Sequence, residues 1–242
     1  MSEIEFDHIA IAVPRMADAP AVLVDALGGM PTGAGGPSGA YTWAQWGFAG
    51  GGRLEILEPL GEDSFLHRFL AARGPGIHHV TFRVPSLREA CDRALAHGYR
   101  IVGYDDSDPR WAEAFLHPKE ALGVVVQLAE SRAVESPPGP AWPAPPGPPD
   151  PPPAVTIVGL RTRARSAERA DTQWGRVLLG RRGHAGGGFV YRWPDSPMRI
   201  AVEVDPEAEE GPLAIEFASA RTVGLPRTPH PVLGAVFRRG TA

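Results

Sequence analysis

Two histidines stand at matching places in two similar stretches of the chain, His8-Ile-Ala-Ile-Ala-Val-Pro14 and His79-Val-Thr-Phe-Arg-Val-Pro85. Each stretch puts large apolar residues at every second position and stops at proline, the pattern of a strand with one packed face. Successive strand residues point to opposite sides, so Ile9, Ile11 and Val13 face a helix while His8, Ala10 and Ala12 share the other side. The same rule groups His79 with Thr81 and Arg83 and assigns His78 to the packed side. A polar residue interrupts a later apolar run in each copy: Glu55 in Leu54-Glu-Ile-Leu57, and Gln127 in Val126-Gln-Leu128. Glu55 follows His8 by 47 positions, and Gln127 follows His79 by 48. Taken singly, these residues read as hydrogen-bonded core histidines and exposed polar positions. The shared offset favours one centre holding two imidazoles, a carboxylate and an amide oxygen. That donor set suits one borderline divalent ion, Zn²⁺, Co²⁺, Ni²⁺, Mn²⁺ or Fe²⁺, with positions left for water or substrate.

The elements that must position these groups repeat as a βαβββ unit. After the first strand a helix is expected from about Ala19 to Leu27, with Pro20 in its opening turn and Gly28 as its stop. After the second, Ser86 and Glu89 form a capping box, Leu87, Ala90, Cys91, Ala94 and Leu95 make an apolar stripe, and Gly98 ends the helix. Strand-like runs follow at 41–48 and 53–58 in the first copy and at 114–116 and 123–129 in the second. Residues 64–73 read as a short connecting helix. From Ser136 to Ala154 the chain is dominated by proline and reads as an extended linker, with a proline-rich ligand as the lesser alternative. It divides a domain of residues 1–135 from a segment of residues 155–242. That segment begins a degenerate third copy: a strand over 155–163, a helix capped by Ser166 and stopped by Gly180, and strands near 189–193, 198–204 and 213–217. Counting back from Gly180 places Leu160 opposite His8, so no second centre is expected there. Arg161, Arg163, Arg165 and Arg169 read as a solvated basic face, with attraction of a ligand phosphate or carboxylate as the lesser alternative. The remainder is too short for a complete fourth unit. The fold class is α+β.

Composition narrows the function. With 242 residues, 43% hydrophobic and 21% charged, and a net charge of −4, the chain has the balance of a soluble globular protein. It lacks the concentrated basic charge of a nucleic-acid binder. Cys91 is the single cysteine, so neither a disulfide framework nor a cysteine-rich zinc cage is expected, which fits a cytoplasmic setting. The acidic start at Glu3 and Glu5 is unlike a signal peptide, and no apolar run approaches the roughly 18 residues of a membrane span.

The segments Asp7-His8, Leu54-Glu-Ile-Leu-Glu-Pro-Leu-Gly61, Gly76-Ile-His-His-Val-Thr-Phe-Arg-Val84 and Phe115-Leu-His-Pro-Lys119 with Gly123-Val-Val-Val-Gln-Leu128 resemble the vicinal oxygen chelate superfamily, and within it the methylmalonyl-CoA epimerases. The resemblance covers residues 3–130. It implies paired βαβββ units forming a half-barrel around a metal, with ligands at His8, Glu55, His79 and Gln127. It also implies electrophilic chemistry, in which an enolate or other oxyanion is stabilised while a nearby group moves a proton. Epimerases of this type carry Glu at the last ligand position, where this chain has Gln127, and a further carboxylate on an inner strand, where Tyr41 to Trp46 has none. The segment 105–114 reads first as a solvated acidic loop; in a catalytic role its Glu113 is the candidate substitute carboxylate, and Glu55 itself is a second candidate proton acceptor. The expected function is a metal-dependent isomerase acting next to the carbonyl of an acyl-CoA thioester. The alternatives are a glyoxalase I-type lyase and a non-catalytic small-molecule-binding protein whose cavity Trp43, Trp46, Phe48 and Trp111 would line. An iron dioxygenase is disfavoured because the facial triad needs a carboxylate where Gln127 stands. A small-molecule substrate and a homodimer are expected, with no nucleic-acid or membrane partner.

Overall fold

The computed structural model describes residues 3–38, 40–132, 143–185 and 188–240, so the start of the expected linker, 136–142, lies outside the described residues. The first unit contains β1 (Glu5–Ala12), α1 (Pro20–Leu23), β2 (Met30–Ser38), β3 (Tyr41–Gly47) and β4 (Arg53–Pro59). A connecting helix, α2 (Phe65–Arg73), leads to β5 (Gly76–Arg83), α3 (Leu87–Ala96), β6 (Ile101–Asp108), β7 (Trp111–Leu116) and β8 (Val125–Ser131). These strands form one sheet in the order β2-β3-β4-β1-β5-β8-β7-β6. The order is a palindrome of the two units, with the strands that carry the histidines side by side at its centre. In both units the first strand pairs in parallel with the last, β1 with β4 and β5 with β8. The mixed α+β class and the duplicated βαβββ architecture agree with the sequence reading.

Several elements depart from it. The first helix is a 3-10 turn, Met16–Asp18, followed by the four residues of α1, shorter than the span to Leu27. Strand β2 is the third strand that the βαβββ unit requires and that no strand-like run located; it reads Met-Pro-Thr-Gly-Ala-Gly-Gly-Pro-Ser and shifts register twice against β3. Its glycines leave room: a Cβ on Gly35 would overlap the Trp43 indole nitrogen. The acidic segment expected as a loop is strand, with Asp105 and Asp108 on β6 and Glu113 on β7. Its exposure on β6 explains why no apolar alternation marked it. By contrast, α3 begins where the capping box placed it, the Ser86 hydroxyl accepting from the Glu89 amide.

The second sheet is built from β9 (Thr156–Ala164), α4 (Ala167–Ala170), a π-helical turn at Asp171–Val177, β10 (Arg181–Ala185), β11 (Gly188–Arg192), β12 (Arg199–Val204), β13 (Gly211–Ala218) and β14 (Phe237–Arg239). Its order is β10-β11-β12-β9-β13-β14. Among the described residues, that is the first sheet's order without its last two strands. The chain after the third unit is therefore a fourth unit cut down to its first and last strands, which pair in parallel as β5 and β8 do. Ser166 caps α4 as Ser86 caps α3. Counting seven back from each cap aligns Gly159, not Leu160, with His79. Register then puts Ala201 beside Arg161 at the place Gln127 takes beside Thr81. The third unit thus carries Gly159 and Ala201 where the second carries His79 and Gln127.

Two compact units emerge from the contacts, and they interleave along the chain. One comprises the described residues of Met1–His8, His79–Ser136 and Gly159–Leu213; the other comprises those of Ile9–His78, Pro137–Val158 and Ala214–Ala242. In the first, Phe82 stacks on Phe6 and meets Trp174 and Trp193, so the helix side of the second repeat packs against the third. In the second, the described part of the proline segment lies along the first repeat: the Val155 amide donates to Leu27, and Arg221 donates to the carbonyls of Pro153 and Ala26.

Candidate metal centre

Strand register explains how distant residues meet. On β4, Glu55 lies beside Ala10, two positions after His8. On β8, Gln127 lies beside Thr81, two positions after His79. Side chains two apart share a face, so each last strand aims its polar residue toward its own histidine. His8, Glu55 and His79 are buried and bring their ligating atoms within 4.8 Å of one another. The two imidazole rings are 5.8 Å apart at 67°. A carboxylate and two imidazoles at this separation form a donor set for a divalent ion.

Gln127 joins the cluster through Thr81. The Thr81 hydroxyl donates to Gln127 Oε1 at 2.6 Å and lies 2.9 Å from His8 Nε2. The amide orientation follows from its other end, where Gln127 Nε2 donates to Glu113 Oε2 at 2.8 Å. A carboxylate only accepts, so the amide oxygen must turn toward Thr81 and the histidines. Trp111 Nε1 donates to the same Glu113 oxygen at 2.9 Å. In the first repeat the pair is reversed: the carboxylate is on the last strand, and Gln45 Nε2 on β3 donates to Glu55 Oε2 at 2.7 Å. Each repeat thus offers one carboxylate and one carboxamide, exchanged between inner and last strand.

Asp7 completes the surroundings of His8. Its Oδ2 lies 2.6 Å from His8 Nδ1, and its Oδ1 lies 3.0 Å from Arg83 Nε. Arg83 Nη2 also donates to Glu5 Oε2 at 2.7 Å. Strict alternation puts Asp7 and His8 on opposite faces, yet both meet side chains of the Thr81 and Arg83 face, while Phe6 stacks on Phe82 of the other. The alternation slips by one residue there, re-aiming the side chains as a bulge does. That slip hides Asp7 from periodicity, although its place next to a candidate ligand was the signal available.

The remaining site expectations divide. His78 packs against the rings of Phe65 and Phe69 on α2, and burial pushes its imidazole down to about 4, against the opposing charge of Glu55. Trp43 packs beside Ala10, Ala12, Leu57 and Leu66 on the face of β1 and β4 that carries Glu55. Trp111 touches Glu113. Trp46 and Phe48 are core residues instead, and register sets Trp46 beside Leu54, one residue out of phase with Glu55.

Comparison with known proteins follows the same lines. Residues 7–115 match the model of the Glyoxalase/Bleomycin resistance protein/Dioxygenase superfamily. The chain is 34% identical over 84 residues to an ethylmalonyl-CoA/methylmalonyl-CoA epimerase of Cereibacter sphaeroides, an alignment covering 32% of this chain and 61% of that protein. Against the human mitochondrial methylmalonyl-CoA epimerase it is 29% identical over 139 residues, 52% of this chain and 73% of the relative. A solved triple mutant of 4-hydroxymandelate synthase from Streptomyces coelicolor superposes with a TM-score of 0.61 over 90% of this chain and 72% of its own, at 14% identity, a likeness of fold alone.

Proposed function

The chain belongs, through residues 7–115, to the glyoxalase/bleomycin resistance protein/dioxygenase superfamily, and from that premise we propose a divalent-metal-dependent isomerase that moves a proton next to a carbonyl. An acyl-CoA thioester is its substrate class, a reading supported by the epimerase relatives. The observation that carries the proposal is the buried His8, Glu55 and His79 cluster with Gln127 and Glu113 hydrogen-bonded beside it. His8, Glu55 and His79, with the Gln127 amide oxygen, would hold the ion. When bound, it supplies electrophilic stabilisation of the negative charge that builds on a substrate oxygen as the adjacent carbon gives up its proton.

The chain's own residues do the rest. Gln127 and Trp111 both donate to Oε2 of Glu113, which orients the carboxylate and turns Oε1 to take the proton. Glu55, oriented by Gln45, is the second carboxylate able to exchange a proton. The apolar wall of Ala10, Ala12 and Leu57 excludes water beside Glu55. The test is deuterium exchange at the α-carbon of branched acyl-CoA thioesters by metal-loaded protein in D₂O, followed by NMR. Exchange with at least one is expected; none with any of them contradicts the assignment.

A second reading, a glyoxalase I-type lyase acting on a hemithioacetal, is favoured by the carboxylate at Glu55 within the donor cluster. Consumption of methylglyoxal with a thiol would select it. The homodimer expected from the incomplete fourth repeat is part of this proposal. Light scattering in solution checks this.

A further inference from the structure

The two histidines are held in different ways. His79 is preceded by His78, which packs on α2, whereas His8 is preceded by Asp7, whose two oxygens are both committed. Asp7 is buried, with 4% of its side chain exposed, and Arg83, its counter-charge, reaches it from the neighbouring strand β5. The place that Arg83 occupies, four after His79, is Ala12 in the first repeat, so nothing equivalent exists there. The Arg83 guanidinium forms an ion pair with one carboxylate oxygen, its Nε 3.0 Å away but not aligned for a hydrogen bond, and the other oxygen faces His8 Nδ1. A carboxylate is an acceptor only, so the ring nitrogen facing it carries hydrogen; the opposite nitrogen, Nε2, meets the Thr81 hydroxyl at 2.9 Å and would exchange that contact for the ion.

We infer that Asp7, ion-paired with Arg83, is the positioning residue that commits His8 to bind a divalent ion through Nε2 with Nδ1–H retained. The inference rests on the metal reading above and adds to it the coordinating atom and the residues that choose it. Carboxylates behind ligating histidines typically carry a 10–100-fold share of metal affinity.

Asp7→Asn discriminates this role from simple packing, because it preserves volume. The Arg83 guanidinium takes the amide oxygen, leaving the amide NH₂ against Nδ1–H, donor against donor. Zinc affinity, measured by competition with a chromophoric chelator, should fall about 10–100-fold. In the double variant Asp7→Asn/Arg83→Met the amide is released to turn its oxygen toward Nδ1, and most of the lost affinity should return. Wild-type protein labelled with ¹⁵N-histidine and loaded with zinc should show a hydrogen-bonded Nδ1–H and a metal-bound Nε2 for His8. Coordination through Nδ1, undiminished affinity in Asp7→Asn, or no recovery in the double variant would each overturn the inference while wild-type zinc binding leaves the metal reading standing. Wild-type protein that binds no zinc overturns both.

Discussion

Glu113 accepts two N–H donors on a single oxygen, and the consequence of removing its charge is specific. Glu113→Gln should lower α-proton exchange by about 10²–10⁴-fold, the usual share of a positioned general base, with metal content unchanged. Exchange at the wild-type rate would remove Glu113 from the proton path. Thr81 is a test of structure rather than chemistry: it is fully buried and bridges His8 and Gln127. Thr81→Val leaves a buried amide oxygen without its donor and should cost about 1–3 kcal/mol in urea unfolding. That His8, Glu55 and His79 lie together was legible because nearly equal spacing in two copies outweighs the ordinary reading of each residue. Asp7, Thr81 and Gln45 were not. Their roles depend on a slip in strand alternation and on which neighbour each side chain meets, and neither leaves a periodic trace.

Strands and helices were readable where apolar periodicity and caps agreed. The start of α3 is such a case, and it supplies a measurable contribution: Ser86→Ala should destabilise by about 0.5–2 kcal/mol in chemical denaturation, while a change near zero would mean that the hydroxyl contributes nothing there. Strand β2 carries prolines and glycines in place of an apolar alternation, and one of those glycines, Gly35, clears space for Trp43. The exposed acids of β6 form a strand without an apolar face, and α1 is cut short although Pro20 opens it and Gly28 follows it as expected. In each case tertiary neighbours, absent from local sequence, decide the conformation.

Across the whole molecule, the repeats were visible but their interleaving into two compact units was not, since it depends on which repeat packs against which. Phe82 marks one of these junctions: it contacts Phe6, Trp174 and Trp193. Phe82→Ala should cost about 3–5 kcal/mol and alter tryptophan fluorescence; a mild loss would mean that the third repeat contributes little to this packing. Cys91 is buried, and burial pushes its thiol up to about 11, so at neutral pH it stays protonated and inert to thiol reagents. Labelling should appear on unfolding, or rise as pH approaches that value. No helix among the described residues is long and apolar enough to cross a membrane. The claim on which the functional account stands is tested most directly by metal stoichiometry in the purified full-length chain, measured by elemental analysis after reconstitution and removal of excess ion. The account predicts one divalent ion per chain, lost in His8→Ala and in His79→Ala; no bound ion in the wild type, or an ion retained in both variants, would contradict it.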